Sequence, residues 1–365
     1  MKANPCKKTC LRLLVATSLF VSPVAVQGQE LSLPKSSPTK PFSHLDLSLT
    51  TGTTGIGLDA SMPLSDVVSL RAGYAIMPHI KKTMHFGVEV GEDPAESERK
   101  FNKLSGMLET LTGNKVDNVV DMIGQPTYWN WKLLVDVKPL RDKRWHLTAG
   151  VFMGSHEIAK AVNSIEDMAS LMAVSIYNTM YYRAVNDEPL IVVGSESVRI
   201  PYLKERLLDY GRMSIHIGDY KHDVLYEEDV VSTKGMFIDG EYFPAGTVLH
   251  KAGDPDDPLY RKGDPYRIVP DENSMVRAWA YANRLKPYVG FGYGGQLSKK
   301  DPKWKVSFDC GAMFWGGTPQ IITHDGTDLV NDVENVRGKV GDYVNIIKKF
   351  KVFPVLNFRL TRTIF

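Results

Sequence analysis

The chain has 365 residues, 43% of them hydrophobic, with 44 basic and 42 acidic side chains and a formal charge of +2. A balance this close to neutrality argues against a strongly electrostatic partner, so no nucleic acid is expected. No segment offers about 18 consecutive apolar residues, which excludes membrane-spanning helices.

At the N-terminus, Lys2, Lys7, Lys8 and Arg12 precede an apolar run over 13–21, broken by Pro23 and followed by small residues near Gly28. This is the pattern of a secretory signal peptide, expected over 1–28, too short and wrongly flanked to span a membrane. Cys6 and Cys10 leave with it, neither in the Leu-x-x-Cys setting of a lipoprotein. Cys310 is then alone, so no intramolecular disulfide is expected. Residues 29–43 read as a linker and 44–365 as the body of a secreted, periplasmic or outer-membrane protein.

Leu45, Leu47 and Leu49 alternate with His44, Asp46, Ser48 and Thr50. A period of two with apolar and polar partners predicts a strand with one greasy and one wet face. After a turn at 51–55, Ile56, Leu58, Ala60 and Met62 alternate with Gly57, Asp59 and Ser61. A turn at 64–66 leads to Val68, Leu70, Ala72, Tyr74 and Ile76 against Ser69, Arg71, Gly73 and Ala75. A long insertion at 79–128 holds a candidate helix within 95–123, marked by Phe101, Leu104, Leu108 and Leu111.

The fourth strand sets Trp129, Trp131, Leu133, Val135 and Val137 against Asn130, Lys132, Leu134, Asp136 and Lys138. Past the turn at 141–144, the fifth sets Trp145, Leu147, Ala149, Val151 and Met153 against His146, Thr148 and Gly150. The longest insertion, 155–284, opens with Ile158, Val162, Ile165, Met168, Met172 and Ile176 at helical spacing, which predicts a helix of about 25 residues. Residues 190–200 read as a strand, 202–210 as a short helix, and 236–243 as a hairpin around Asp239-Gly240. This is enough order for a cap or a small external domain. The methionines between Met168 and Met180 are expected to pack against the barrel mouth rather than to form a binding surface.

Pro287, Val289, Phe291 and Tyr293 then alternate with Tyr288, Gly290, Gly292 and Gly294. After a polar turn at 298–303, Val306, Phe308, Cys310, Ala312 and Phe314 alternate with Lys305, Ser307, Asp309 and Gly311. A third insertion, 317–350, contains a charged stretch read as helical over 328–349. The last strand carries Val352, Pro354, Leu356, Phe358 and Leu360 on one parity and Asn357, Arg359, Thr361 and Thr363 on the other. Phe365 breaks the apolar parity that the terminal Phe keeps in many outer-membrane barrels this strand resembles, and that resemblance implies a bulge near 361–363 or a modified assembly signal.

Eight runs of about ten residues, joined alternately by short polar turns and long insertions, fit a barrel that crosses a bilayer. The fold class is therefore expected to be all-β: an eight-stranded antiparallel transmembrane β-barrel with a large mixed α/β external insertion. Both termini are expected in the periplasm, with the insertions outside. The short turn near Gly52 departs from this rule. A soluble β-sandwich or lipocalin-like barrel also alternates, but it turns its apolar face inward. Here the complementary face carries Asp46, Asp59, Arg71, Lys132, Asp136, Lys138, Lys305, Asp309 and Arg359 among many small residues, which suits a narrow polar lumen. Arg71 is expected beside Asp59, because the turn at 64–66 folds their strands together.

The segments 52–59, 68–74, 145–152, 286–294 and the stretch 328–356 resemble small eight-stranded outer-membrane barrels of Gram-negative bacteria, OmpA/OmpW-like and porin-like. The resemblance implies the same barrel, largely without a characterised function, and it supplies no catalytic residues.

No catalytic, cofactor-binding or metal-binding residue is expected. Gly290, Gly292 and Gly294 superficially suggest a nucleotide loop, but they lie within an alternating strand rather than before a helix. The histidines form no His-x-x-x-His pair, and the acidic group of Asp254, Asp256, Asp257, Asp264 and Asp271 lacks the spacing of an EF-hand loop. Ser155, His156 and Glu157 are the sharpest enzymatic motif, yet neighbours on one strand point to opposite faces and cannot pair directly. The expected function is a non-enzymatic outer-membrane barrel in a structural or surface-interaction role, its lumen closed by polar side chains. Its partners would be outer-membrane lipid and an external ligand or protein at the loop cap. The alternative is a small channel or carrier whose route passes the bare wall at Gly290, Gly292 and Gly294.

Overall fold

The structure, a computed structural model, describes residues 40–365 except 142, 194, 195, 199–201, 234, 235, 239, 240 and 350. The signal peptide expected over 1–28, and the linker as far as residue 39, lie outside the described residues.

The chain forms β1 (Asp46–Gly52), β2 (Gly55–Pro63) and β3 (Val68–Ile76), then β4 (Lys82–Val90), helix α1 (Pro94–Thr112) and β5 (Val119–Pro126). Next come β6 (Trp129–Val137), β7 (Trp145–Gly154), β8 (Glu157–Asn163), α2 (Met168–Val185), β9 (Ile191–Val193), β10 (Glu196–Val198) and α3 (Leu203–Tyr210). β11 (Met213–Tyr220), β12 (Val230–Val231), β13 (Met236–Ile238), β14 (Glu241–Phe243), β15 (Val248–His250), β16 (Pro265–Ile268) and β17 (Arg277–Tyr281) follow. The chain ends with β18 (Leu285–Gln296), β19 (Trp304–Phe314), β20 (Gln320–Thr323), β21 (Val333–Glu334), α4 (Gly338–Lys349) and β22 (Val352–Thr363).

Eight of these strands close a barrel in the order β1-β2-β3-β6-β7-β18-β19-β22, and they are the eight that alternation picks out. Closure comes from the antiparallel pairing of β1 with β22, where Leu49 faces Leu360 and Asp46 faces Thr363. That register is regular to Thr363, and backbone bonds continue from Ile364 to Leu45 and from Leu45 to Phe365. No bulge therefore restores the parity of Phe365, which ends the chain exposed and out of step with Leu356 and Phe358.

The insertions build a second sheet, β16-β11-β4-β5-β8-β17-β20. Within it, β4-β5-β8-β17-β20 repeats the barrel order β3-β6-β7-β18-β19, because each cap strand directly continues its barrel neighbour along the chain. Backbone bonds bridge the junction, from Met77 to Tyr128 O, Thr127 to Ile158 O and Ala282 to His156 O. The cap is thus a prolongation of the barrel wall. β22, β1 and β2 have no such continuation, so the unexpectedly short turn near Gly52 marks a low stretch of rim.

Helices pack on this sheet over a core that includes Val88, Val90, Leu108, Val120, Leu171, Val174, Tyr177, Met213 and Ile215. α1 begins where Asp93 accepts the Ala95 amide and ends at Gly113, whose left-handed φ of 70° suits a residue without Cβ. It buries Phe101, Leu104 and Leu108, as their spacing predicts.

Three expectations need correction. The helix expected from Ile158 onward is a strand as far as Asn163, and α2 starts only at Met168. A spacing of four satisfies both periods, and pairing with β5 on one edge and β17 on the other decides for strand. The strand expected at 190–200 is the hairpin of β9 and β10. The stretch 328–349 is helical only from Gly338, while Val333 and Glu334 pair with β11. The hairpin at 236–243 is present, with Met236 opposite Phe243. Its turn pair lies outside the described residues.

Candidate functional site

Strand pleating sends alternate side chains to opposite sides of the barrel wall. Outward, Leu58 is 69% exposed, Trp131 59% and Leu147 55%, joined by Leu49, Leu133, Val289, Phe291 and Phe308. Exposed apolar side chains gathered on one face of a sheet mark a surface that meets another apolar body, protein or membrane. Aromatic residues border it at both ends: Tyr74 with Trp129 and Trp131 towards the cap, and Trp145 with Tyr293 towards the short turns.

Inward, Asp59, Arg71, Lys132, Asp136, Asp309 and Arg359 are all buried. Arg71 is the hub. It lies 2.8 Å from Asp136 and 3.0 Å from Asp309. Asp59 is farther, at 3.9 Å, because its short contact is with Lys132 at 2.6 Å. The expected Arg71–Asp59 pair is therefore the weakest of the hub's three. Arg359 reaches Asp309 at 3.4 Å and Asp136 at 3.7 Å, and its Nε donates to Ser307 at 2.8 Å. Three carboxylates meet three fixed cations, so this layer is formally neutral. A buried charge is tolerated only when paired in this way.

The remaining predicted lumen residues lie towards the turn end. Lys305 pairs with Asp46 at 3.0 Å, and Asp46 also accepts from Thr363. Lys138 is half-buried and has no ion-pair partner among the described residues.

Alternation alone did not single out several other groups. His146 Nε2 stands 2.8 Å from Asp309 and 3.3 Å from Arg359, and Thr148 donates to Asp136 at 2.6 Å. Towards the cap, Tyr128, Leu134, Phe152, Tyr288, Met313 and Val355 form an apolar plug across the lumen. Its signal was in the sequence: Leu134, Phe152, Met313 and Val355 occupy positions of the polar parity. Beside the plug lies Lys286, fully buried. Its Nζ is 3.4 Å from Asn130 Oδ1 and from Ser155 O, and 5.4 Å from the Tyr128 ring centre. No carboxylate pairs with it among the described residues.

Side chains lie close against three glycines of β18 and β19. A Cβ at Gly290 or Gly311 would strike the Tyr288 hydroxyl, and one at Gly292 would strike His146. The missing side chains make room for these rings at Gly290, Gly292 and Gly311. Between the charged layer and the plug, a cavity of about 10 Å³ is lined by Arg71, Lys132, Phe152, Tyr288 and Asp309. That is room for about one water.

The other motifs resolve into local structure. Ser155 Oγ accepts from the Trp129 amide at 3.3 Å, while His156 Nδ1 lies 2.6 Å from Ala282 O and its ring stacks on Tyr281. Ser155 and His156 do not bond to each other. Of the acidic residues, Asp254 accepts the Asp256 amide, Asp257 pairs with His250 at 2.7 Å, and Asp264 accepts the Arg261 amide. Met180 of the Met-rich helix is buried in the cap core, whereas Met172 is exposed.

No family model and no curated protein matches this chain. Among solved structures it is similar to CarO2 of Acinetobacter baumannii, with 14% identity and a TM-score of 0.35 over 89% of this chain and 100% of that one. CarO of Acinetobacter baumannii follows with 13% identity, a TM-score of 0.32 and coverages of 88% and 97%. A major outer membrane protein of Thermus thermophilus has 11% identity and a TM-score of 0.25, with coverages of 88% and 98%.

Proposed function

We propose that this chain is an outer-membrane β-barrel that acts through its cap, in a structural or surface-interaction role, with a closed lumen and no catalytic activity. One observation carries the reading. The wall is apolar outside and ionic inside, and a cavity of only about 10 Å³ lies between the charged layer and the plug. A barrel of eight strands has little more width than its own side chains fill. The apolar band with aromatic borders fits a bilayer. Kinship with OmpA/OmpW-like barrels belongs to the same proposal.

Strands β1 and β22 begin and end at the end of the short turns, opposite the cap. In the proposed orientation both termini face the periplasm, and the cap presents the surface that an external ligand or protein would meet. The rings at Gly290, Gly292 and Gly311 speak against the runner-up, a small channel or carrier.

Planar-bilayer recording separates the two. The intact chain is expected to insert without a sustained conductance step, because six buried charges and the plug occupy the lumen. Regular conductance steps from the wild-type chain, or solute uptake into vesicles carrying it, would overturn the closed-lumen reading in favour of the channel.

A further inference from the structure

The rim is tall where five barrel strands run on into the cap sheet and low at β22, β1 and β2. Helix α4 stands beside that low stretch. Just before it, Arg337 donates its amide to Ile217 O at 2.8 Å and lies 3.4 Å from Glu89, near the far end of β4. Its last residue, Lys349, is three positions short of β22. The helix therefore descends the side of the cap antiparallel to β4, covering about 18 Å in its 12 residues.

Val344 is buried against the cap, whereas Tyr343 and Ile346 are 40% and 49% exposed. At the foot of the helix Lys349 and Lys351 are exposed, and Lys81 and Lys82 are exposed where β4 leaves the rim. None of these four lysines has an ion-pair partner among the described residues, and the segments 77–82, 52–55 and 346–351 contain no carboxylate. Directly below, the outward faces of β1 and β2 present Leu49, Ile56 and Leu58 of the apolar band. An apolar strip continuous with the band, edged by uncompensated ammonium groups at the rim, suits one kind of neighbour.

We infer that the foot of α4 and the start of β4 bind anionic lipid from the leaflet that surrounds the cap-side rim. Phosphate groups of the lipid meet Lys81, Lys82, Lys349 and Lys351, while acyl chains lie against the low wall of β1 and β2, with Ile346 at headgroup level. The inference rests on the membrane-spanning reading.

The test uses the full chain reconstituted in phosphatidylcholine vesicles with and without phosphatidylglycerol, and native mass spectrometry of the lipids retained after release into detergent. Wild type is expected to retain phosphatidylglycerol in preference to phosphatidylcholine. Combining Lys81→Gln, Lys82→Gln, Lys349→Gln and Lys351→Gln should lower that preference at least tenfold, given roughly fivefold per surface lysine at low ionic strength. A control with Lys299→Gln, Lys300→Gln and Lys303→Gln, at the opposite end, should keep it. Unchanged preference in the fourfold variant, or an equal loss in the control, overturns the site while leaving the barrel in place. A chain that enters neither kind of vesicle overturns the spanning reading, and the site falls with it.

Discussion

Arg71 holds three carboxylates within 4 Å in a layer that water barely enters, so its removal leaves unpaired negative charge rather than an empty space. Arg71→Met is expected to lower stability by about 3–5 kcal/mol, the usual cost of orphaning a buried charge. Urea unfolding in detergent micelles checks this. Lys138→Met serves as the control, because Lys138 has no ion-pair partner among the described residues, and it should stay within about 0.5 kcal/mol of wild type. Equal losses in both would mean that pairing is not what holds the lumen. Lys286 makes the opposite prediction. Fully buried and paired with no carboxylate among the described residues, it pays desolvation without an ion pair to offset it, so Lys286→Met should be neutral or stabilising in the same assay. In the cap, partial burial opposes ionisation of Asp271, but the Met275 amide, the Arg277 guanidinium and the Asn273 amide outweigh it and hold its carboxyl below the usual range. The folded value lies below the unfolded one of 3.8, so the stabilisation is fully present above that pH and is lost as pH falls through the folded value. Hydrogen exchange at the amides of Asn273 and Met275 should stay slow from neutrality down to this window and accelerate below it. Opening already near pH 6 would show that the carboxylate is not the clasp.

At the scale of elements, the barrel strands were legible in the residues and several cap strands were not. Barrel strands carry an apolar outer face and a polar inner one, so period two is written in hydrophobicity. β8 is flanked by strands on both edges and carries no such contrast: Ile158 and Asn163 are buried and the residues between them are half-buried. Its identity rests on hydrogen bonds to β5 and β17, which no local period encodes. The glycines of β18 and β19 were visible, but their meaning was not. An empty position reads as a gap until the side chain that fills it is known, and Tyr288 supplies it by lying across Gly290 and Gly311. Gly311→Ala should therefore cost about 1–3 kcal/mol through overpacking. On a Tyr288→Ala background the same substitution should cost far less, and a double-mutant cycle that came out additive would refute the fit of ring to glycine.

For the whole molecule, closure matters more than any one contact. β1 to β22 complete a ring of backbone hydrogen bonds without a free edge, which a detergent cannot open strand by strand. The chain in mild detergent should migrate differently on a gel before and after boiling. An unaltered mobility, with the protein recovered from a soluble fraction, would contradict the proposed membrane role and recast the apolar band as an interface between proteins. The cap shares the barrel's backbone continuity, so heating is expected to melt both in one transition rather than two, readable by circular dichroism.

Residue order by itself determined the wall: eight strands, their parity, and the inward placement of charges such as Asp59, Arg71, Lys132 and Asp309. It could do so because the pleat is a local property, and alternation needs no knowledge of which strand lies alongside. Tertiary structure alone decided who meets whom inside. Arg71 and Asp309 are 238 positions apart, and their contact exists only because the sheet closes. The same closure turned Leu134, Phe152, Tyr288, Met313 and Val355 from scattered exceptions into one plug. It also made the insertions prolong the wall, because a strand leaving the rim finds its nearest unpaired backbone groups on the strand that rises beside it.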